Sequence, residues 1–505
     1  MNTTARTVLL SIVLVLAPAL RADVRLPAIF SDHLVLQRDA SVPVWGWAEP
    51  GEEVSVCIAG ETKTAKAGKD GKWMVRIAKL KAGGPHTLTV KGRNTVTVND
   101  VLVGEVWLGS GQSNMAMTVQ SSKDFEQEKA AAKFPQLRMF TVERDPQRAP
   151  QSDCKGSWQI TTPEAVGPFS AAAYFFGRKL HQELGMPVGL INSSYGGTDI
   201  AAWTSEPVQM EIPDLKAAFD KWAKDDAAYD PVKAKAAYEK ESAAWKENVK
   251  KARAGGNQPP RAPRPPIQPR LSQNHPANLY NGMIAPIIPF AIRGAIWYQG
   301  EHNASPEGGV RYAIQLPLLI KDWRTRWSYK FPFAWVQLPN FIRPGEGWML
   351  VRESMLKSLS VPKTGMAITV DIGDPKDIHP KNKQDVGKRL ALWALGTVYG
   401  KKVPATSGPL PAGHKVRGSE VVLSFTHADG GLVAKGGELK GFVIAGADKQ
   451  WKPATARIEG AKIIVSNTDV KKPVASRYAW ADNPDCNLFN GAGLPASPFR
   501  TDDWK

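Results

Sequence analysis

The sequence predicts an α/β protein: a doubly wound parallel sheet with accessory small β-sandwich modules. Five short apolar, β-branched runs alternate with helical stretches between about Val101 and Gly400. Buried parallel strands read as continuous apolar runs of this kind, because helices cover both faces of the sheet. Short alternating strands precede and follow this region. With 505 residues, the chain is also too long for one hydrophobic core.

Residues 1–22 have the layout of a signal peptide. Met1–Arg6 is basic, Thr7–Leu16 is apolar, and Ala17–Ala22 ends in small residues. The apolar run is shorter than a bilayer span, so cleavage after Ala22 is favoured over a membrane anchor. No later segment is apolar enough to cross a membrane. We therefore expect a secreted or periplasmic protein without a membrane span after cleavage.

Residues 23–100 are predicted to form an N-terminal β-sandwich domain. This prediction is based on short segments in which apolar and polar residues alternate, separated by Gly and Pro turns. They are Val42–Trp47, Glu53–Ile58, Trp73–Ile77 and His86–Val90.

Residues 101–400 are predicted to form the α/β domain. Its expected strands are Val101–Leu108, Val188–Asn192, Gly294–Tyr298, Phe333–Gln337 and Met366–Val370. Its expected helices are Ala171–Leu184, Val310–Trp327, Leu350–Leu359 and Gln384–Val398. Residues 401–505 return to short alternating strands and end in an aromatic tail, which indicates a C-terminal β module with a closing tail.

An insertion at residues 214–270 interrupts the α/β domain. Asp214–Ala254 has the spacing of two amphipathic helices broken near Pro231. Gln258–Arg270 is rich in Pro and Arg, a composition typical of extended chain. We interpret the insertion as a solvated flank rather than a binding device.

Composition excludes several function classes. Only three cysteines occur, without a Cys-x-x-Cys pair, and the eight histidines lack metal-ligand spacing. We expect neither a metal site nor another cofactor. The net charge of +17 would suit an acidic polysaccharide as well as nucleic acid. An export signal without a nucleic-acid recognition motif disfavours nucleic acid.

Polar residues follow four of the predicted strands. Ser113 follows the first, the Gly196–Gly197 pair the second, the QGEHN loop the third, and His379 among several carboxylates the fifth. In an open parallel sheet, ligands bind outside the carboxyl ends of the strands. A nucleophile, a glycine pair, amide donors and a histidine at one edge are the parts of a serine hydrolase.

The amino-acid sequences of these segments resemble those of a known family. GEVWLGSGQSNM, PVGLINSSYGGTDIAAW, GAIWYQGEHNA and DIHPKNKQDVGKRLA are similar to blocks of the sialate O-acetylesterase family of carbohydrate esterases. The resemblance implies an SGNH-hydrolase (flavodoxin-like) fold. It also implies an exported carbohydrate O-acetylesterase that removes O-acetyl groups from sugars, with 9-O-acetyl sialic acid as the family substrate.

The resemblance also implies roles for individual residues. Ser113 would be the nucleophile, His379 the general base, and Asp377 the acid that orients it. Many SGNH enzymes place this acid three residues before the histidine, where this chain has Lys376. Two alternatives to Asp377 therefore remain: Asp374 or Glu301 could orient His379, or the enzyme could work as a Ser–His dyad without an acid. The expected oxyanion and substrate-binding residues are Gly197, Gln299, Glu301 and Asn303.

Three alternatives remain from sequence. The chain could act on acetylxylan or another acetylated polysaccharide, since the sequence does not define the pocket. It could be a non-catalytic carbohydrate-binding protein with a hydrolase-like core. It could also bind anionic polymers mainly through the insertion.

Overall fold

The computed structural model describes residues 23–504 of the chain. The predicted signal peptide, residues 1–22, lies outside the described residues. Within the described range, no helix is both long and apolar enough to cross a membrane.

The N-terminal module consists of short β-strands in two layers. Its strands are β1 (Val35–Gln37), β2 (Val42–Trp47), β3 (Glu53–Ile58), β4 (Glu61–Lys66), β5 (Lys72–Ile77) and β6 (Gly83–Lys91). β2 pairs with β5, whereas β3 pairs with both β4 and β6. Alternate residues of β5 are buried, which matches the period-2 pattern of a strand with one face on a core.

The central sheet contains all five predicted strands. Its members are β7 (Thr95–Gly111), β8 (Phe134–Thr141), β9 (Trp158–Thr161), β10 (Val188–Ser194), β11 (Gly294–Tyr298), β12 (Phe333–Val336) and β13 (Thr364–Ala367). They lie in the order β13-β12-β11-β7-β10-β8-β9, and all are parallel except β9. The sequence analysis missed β8 and the edge strand β9, because both carry short apolar stretches interrupted by polar residues.

Strand β7 crosses the predicted domain boundary at residue 100. Its first half pairs antiparallel with β6, and its second half pairs parallel with β10 and β11. The N-terminal module and the central sheet therefore share one continuous strand and one hydrophobic core. Buried residues on both sides of the boundary, such as Val98 and Val101, belong to that core.

Helices cover both faces of the central sheet. The helices are α1 (Ser113–Ala116), α2 (Phe125–Ala131), α3 (Ala171–Leu184), α4 (Glu206–Met210), α5 (Pro213–Ala227), α6 (Pro231–Ala254), α7 (Pro306–Trp327), α8 (Gly347–Lys357) and α9 (Lys383–Trp393). Residues of α3 and α9 pack on one face and those of α7 and α8 on the other. In the insertion, α5 and α6 are separated at Asp230–Pro231, and α6 has no buried residue.

The C-terminal module is a second set of β layers. Its strands are β14 (Leu410–Arg417), β15 (Glu420–Thr426), β16 (Leu432–Ala434), β17 (Phe442–Gly446), β18 (Lys452–Pro453), β19 (Thr455–Glu459), β20 (Lys462–Ser466), β21 (Pro473–Tyr478), β22 (Leu488–Asn490) and β23 (Phe499–Arg500). Two four-stranded sheets and one two-stranded sheet enclose a separate apolar cluster.

A buried arginine attaches the closing tail to the central sheet. Arg352 of α8 is fully buried and donates hydrogen bonds to the carbonyl oxygens of Leu338, Pro339, Ala481 and Asp482 at 2.6–3.0 Å. Burial lowers the pKa of its guanidinium to about 10. The side chain thus satisfies backbone acceptors from both the sheet and the tail.

We expect Arg352→Met to lower the free energy of unfolding by more than about 3 kcal/mol, because several buried carbonyl groups lose their donor. Denaturant unfolding measures this change. The control is Arg417→Met, which removes an exposed ion pair with Glu420 and should cost about 1 kcal/mol or less. Similar losses for the two variants would contradict the proposed attachment.

Candidate active site

The turn after β7 places Ser113 at the carboxyl edge of the sheet. Gly111 has a φ of +135°, and a Cβ atom at this position would lie 2.1 Å from the carbonyl oxygen of Tyr298. Only glycine allows β7 to end this close to β11. The next residue, Gln112, donates its N–H to the same carbonyl oxygen at 2.9 Å. Ser113 then begins the one-turn helix α1.

Ser113 and His379 are in hydrogen-bond contact. Ser113 Oγ lies 2.8 Å from His379 Nε2, and both residues are partly exposed. Partial burial lowers the pKa of His379 below its ordinary value, the nearby Lys383 lowers it further, and Asp377 opposes both. The imidazole is therefore unprotonated at neutral pH and can accept the hydroxyl proton. The structure brings together the two residues on which the predicted chemistry depends.

The structure does not bear out the expected contact between Asp377 and the imidazole. Asp377 Oδ1 lies 3.8 Å from His379 Nδ1, which is too long for a hydrogen bond. The same oxygen accepts the backbone N–H of His379 at 2.9 Å. Asp374 likewise accepts backbone N–H groups of its own loop. Among residues 23–504, no carboxylate has an assigned hydrogen bond to Nδ1, so the geometry is that of a Ser–His dyad.

The glycine pair lies against the nucleophile. A Cβ atom on Gly196 would be 3.3 Å from Ser113 Cβ, so a side chain here would press on the serine. Gly197 has a φ of +69°, which favours glycine, and its carbonyl oxygen accepts from Asn274 Nδ2 at 3.0 Å. Within the described chain, the N–H groups of Ser113 and Gly197 have no assigned acceptor. Both residues line the cleft, so both N–H groups are candidate donors to a ligand bound there.

Gln299 and Asn303 do not line the cleft, contrary to the sequence expectation. Gln299 Nε2 donates to the carbonyl oxygen of Thr198 at 2.9 Å and to Asn303 Oδ1 at 2.7 Å. Asn303 Nδ2 donates to Asp199 Oδ2 at 3.0 Å. These amides are occupied by the loop after β10, because that loop folds against the QGEHN loop. Their role is to hold the glycine loop in place.

A buried polar cluster behind the nucleophile was missed by the sequence analysis. Asn114 Nδ2 donates to Glu301 Oε1 at 2.6 Å and to the carbonyl oxygen of Ile378 at 2.9 Å. Lys383 Nζ donates to Asn114 Oδ1 at 2.7 Å and to the carbonyl oxygen of Pro380 at 2.6 Å. Two sequence features could have indicated this cluster: the polar pair Ser113–Asn114 at a strand end, and a lysine four residues after His379.

Burial changes the pKa values of the two ionisable members of this cluster. It lowers the pKa of Lys383 to about 7 and raises the pKa of Glu301. Both shifts favour the neutral forms, as expected for charges removed from water. Glu301 faces Asn114 rather than His379, so it does not replace Asp377 as an orienting acid.

An open cleft of about 1220 Å³ surrounds the Ser113 hydroxyl. Gly196, Gly197 and Glu301 line it, and so does the exposed His302, whose N–H donates to Gln112 Oε1 at 3.2 Å. The Pro- and Arg-rich segment also lines it. The side chains of this segment that line the cleft are exposed, so the interpretation of the insertion as a solvated flank rather than a binding device stays a prediction. The arginines that line the cleft are Arg144, Arg261, Arg264 and Arg343.

A family model and several named proteins are similar to this chain. A family model described as carbohydrate esterase, sialic acid-specific acetylesterase, matches residues 103–250 and 270–395. These residues span the strands and loops that carry Ser113, Gly197, Glu301 and His379.

Relatives of known name cover nearly the whole chain. Sialate O-acetylesterases of Mus musculus and Rattus norvegicus are 29% and 30% identical, and each alignment covers 94% of both proteins. Among solved structures, a carbohydrate acetylesterase from Xanthomonas citri is similar with a TM-score of 0.81 and 38% identity. That match covers 95% of this chain and 100% of the other.

The position of Asp377 predicts a mild effect of Asp377→Asn on the hydrolysis of an aryl acetate. The plateau kcat/KM should stay within about tenfold of wild type, whereas loss of a hydrogen-bonded triad acid costs about 10⁴. A loss near 10⁴ would show that Asp377 does orient the imidazole.

The pH profile of the same variant tests the electrostatics. Activity needs unprotonated His379, so kcat/KM should fall as the pH drops through the pKa of this residue, which partial burial holds below its ordinary value. Because Asp377 raises that pKa, Asp377→Asn should move the acid limb to lower pH. A shift in the other direction contradicts the assignment.

Proposed function

Since the chain belongs to the sialic acid-specific acetylesterase family of carbohydrate esterases, we propose that it removes O-acetyl groups from sugars through an acetyl-enzyme on Ser113. The observation that carries this proposal is the 2.8 Å contact between Ser113 Oγ and His379 Nε2 in an open cleft. It also disfavours the alternative of a binding protein with a hydrolase-like core.

The reaction begins with attack of Ser113 Oγ on the acetyl carbonyl carbon. His379 Nε2 accepts the hydroxyl proton as the new C–O bond forms. The resulting oxyanion lies near the N–H groups of Ser113 and Gly197. Loss of one such donor typically costs about 10²–10³ in rate. The tetrahedral intermediate then breaks its bond to the sugar oxygen, which takes the proton back from His379.

The second half releases acetate. A water molecule attacks the acetyl-enzyme while His379 accepts its proton, and the bond to Ser113 Oγ breaks as the serine regains a proton. Nδ1 of His379 has no carboxylate partner at hydrogen-bond distance in the described chain, and the side chain is 43% exposed. The imidazolium formed in each half is then stabilised mainly by water and by the nearby charge of Asp377.

We expect Ser113→Ala and His379→Ala each to lower kcat/KM for an aryl acetate by about 10³ or more, since each removes half of the proton-transfer pair. The matched control is Ser121→Ala. Ser121 lines the same cleft and hydrogen-bonds Thr118 rather than the histidine. Activity that survives in Ser113→Ala would overturn the proposal.

The substrate class is an O-acetylated carbohydrate, and the family substrate is an O-acetyl sialate. Acetate release across O-acetyl sialate, acetylxylan and acetylated pectin distinguishes the sialate from the polysaccharide alternatives. The open form of the cleft suits a sugar that extends beyond one residue.

We propose in addition that the protein is exported. The basic, apolar and small-residue order of residues 1–22 supports this proposal. Protein made with its own leader and collected from the periplasm or medium should begin at Asp23 by N-terminal sequencing. An intact Met1 on the folded protein would contradict it.

A further inference from the structure

One wall of the catalytic cleft comes from the insertion. Arg261, Arg264 and Ile267 all line the cleft that contains Ser113. They are spaced three residues apart in a segment without helix or strand. Extended proline-rich chain repeats every three residues, so side chains at this spacing point to the same side. The segment therefore presents one consistent face to the site.

Both ends of this wall are held by the insertion helices. Trp245 of α6 donates its Nε1–H to the carbonyl oxygen of Pro260 at 2.7 Å. Asp226 of α5 accepts the backbone N–H of Arg270 at 3.1 Å. Through these two contacts, the mostly exposed helices α5 and α6 position the arginine segment over the cleft. The family model matches the chain up to residue 250 and again from residue 270, so this wall lies outside the matched core.

The wall makes the cleft positive. Arg261 and Arg264 are exposed, and within residues 23–504 neither has an assigned ion pair. Arg144 and Arg343 contribute two further guanidinium groups on the other sides of the cleft. Glu301 is the one carboxylate among the lining residues, and it is buried and bonded to Asn114. At Arg261 and Arg264 an anionic ligand would find donors without displacing a hydrogen-bond partner within the described residues.

We propose that Arg261 and Arg264 bind carboxylates of an acidic O-acetylated saccharide, and that this wall selects such substrates over neutral ones. Guanidinium groups bind carboxylates through paired, charge-assisted hydrogen bonds. One three-residue turn of extended chain advances about 9 Å, so the two groups can contact carboxylates on separate sugars of one polymer. This inference rests on the proposed function and specifies its substrate class.

The test compares Arg261→Gln/Arg264→Gln with a control of equal charge loss. The control is Lys240→Gln/Arg253→Gln, which removes two exposed cations from α6 that do not line the cleft. The substrates are acetylated polygalacturonate, O-acetyl sialate, acetylxylan and an aryl acetate. The first two carry carboxylates, on a polymer and on a monomer respectively, and the last two are neutral.

We expect the Arg261/Arg264 variant to raise KM for acetylated polygalacturonate about tenfold or more, with kcat changed less than about twofold. KM for acetylxylan and turnover of the aryl acetate should stay as in wild type. An equal rise for O-acetyl sialate would identify a single carboxylate as sufficient, whereas a rise only for the polymer would show that both arginines act together. The preference should weaken from about 20 mM to about 500 mM salt, since the groups are exposed.

The Arg261→Lys/Arg264→Lys variant distinguishes the effect of charge from that of paired hydrogen bonds. It keeps the positive charges without the paired donors, so its KM for the acidic polymer should lie between those of wild type and the Gln variant. An unchanged KM for both acidic substrates in the Gln variant, or an equal loss on acetylxylan, would overturn the inference. Neither result affects the proposed function, which Ser113→Ala tests on the aryl acetate.

Discussion

The side chain of Asn114 joins the loops on which the active site depends. It donates to Glu301 in the loop after β11 and to the carbonyl oxygen of Ile378 beside His379, and it accepts from Lys383. Because Asn114 is the residue after Ser113, these three contacts fix the nucleophile relative to its base. The 2.8 Å contact between Ser113 and His379 is a consequence of this buried network. Buried hydrogen-bonded side chains have this effect, because breaking one of these bonds leaves a further buried group unpaired. Among the described residues, Glu301 Oε2 already lacks a hydrogen-bond partner.

The same network explains why the cluster contains ionisable groups without a direct salt bridge. Burial favours neutral Lys383 and neutral Glu301, and both are bonded through the amide of Asn114 instead of to each other. A neutral amine can still donate to Asn114 and to Pro380. Burial is the larger cause of the lowered pKa of His379, and the charge of Lys383 lowers it further. The catalytic histidine is kept available as a base by its surroundings more than by an acid partner.

Two parts of the molecule form the site: the central sheet with its loops, and the insertion. The central sheet and its strand-end loops supply the proposed nucleophile, base and N–H donors, and the family model covers these residues. The insertion supplies a separate wall with two arginines, held by hydrogen bonds from α5 and α6. Acid–base chemistry and substrate selection can therefore change independently, because the wall contacts the cleft without contributing to the buried network.

The sequence by itself determined the five parallel strands and the polar loops that follow four of them. It also identified Ser113 and His379 as the candidate catalytic pair. Apolar runs and strand-end polar residues are local signals, and the family blocks carry them in the same order. It also predicted the two helices of the insertion, whose spacing and break near Pro231 are visible in the chain. It missed β8, the edge strand β9 and the continuity of β7 across residue 100, because short or mixed strands lack a clear period.

Only the tertiary structure decided which neighbours each side chain meets. Gln299 and Asn303 turn away from the cleft because the carbonyl and carboxylate oxygens of the loop after β10 lie within reach. Asp377 accepts the backbone N–H of His379, because a carboxylate two residues before a histidine reaches that N–H more easily than the ring. The arginines of the insertion reach the cleft because Trp245 and Asp226 hold the extended segment there. These outcomes depend on distances between residues far apart in the chain, which no local pattern encodes.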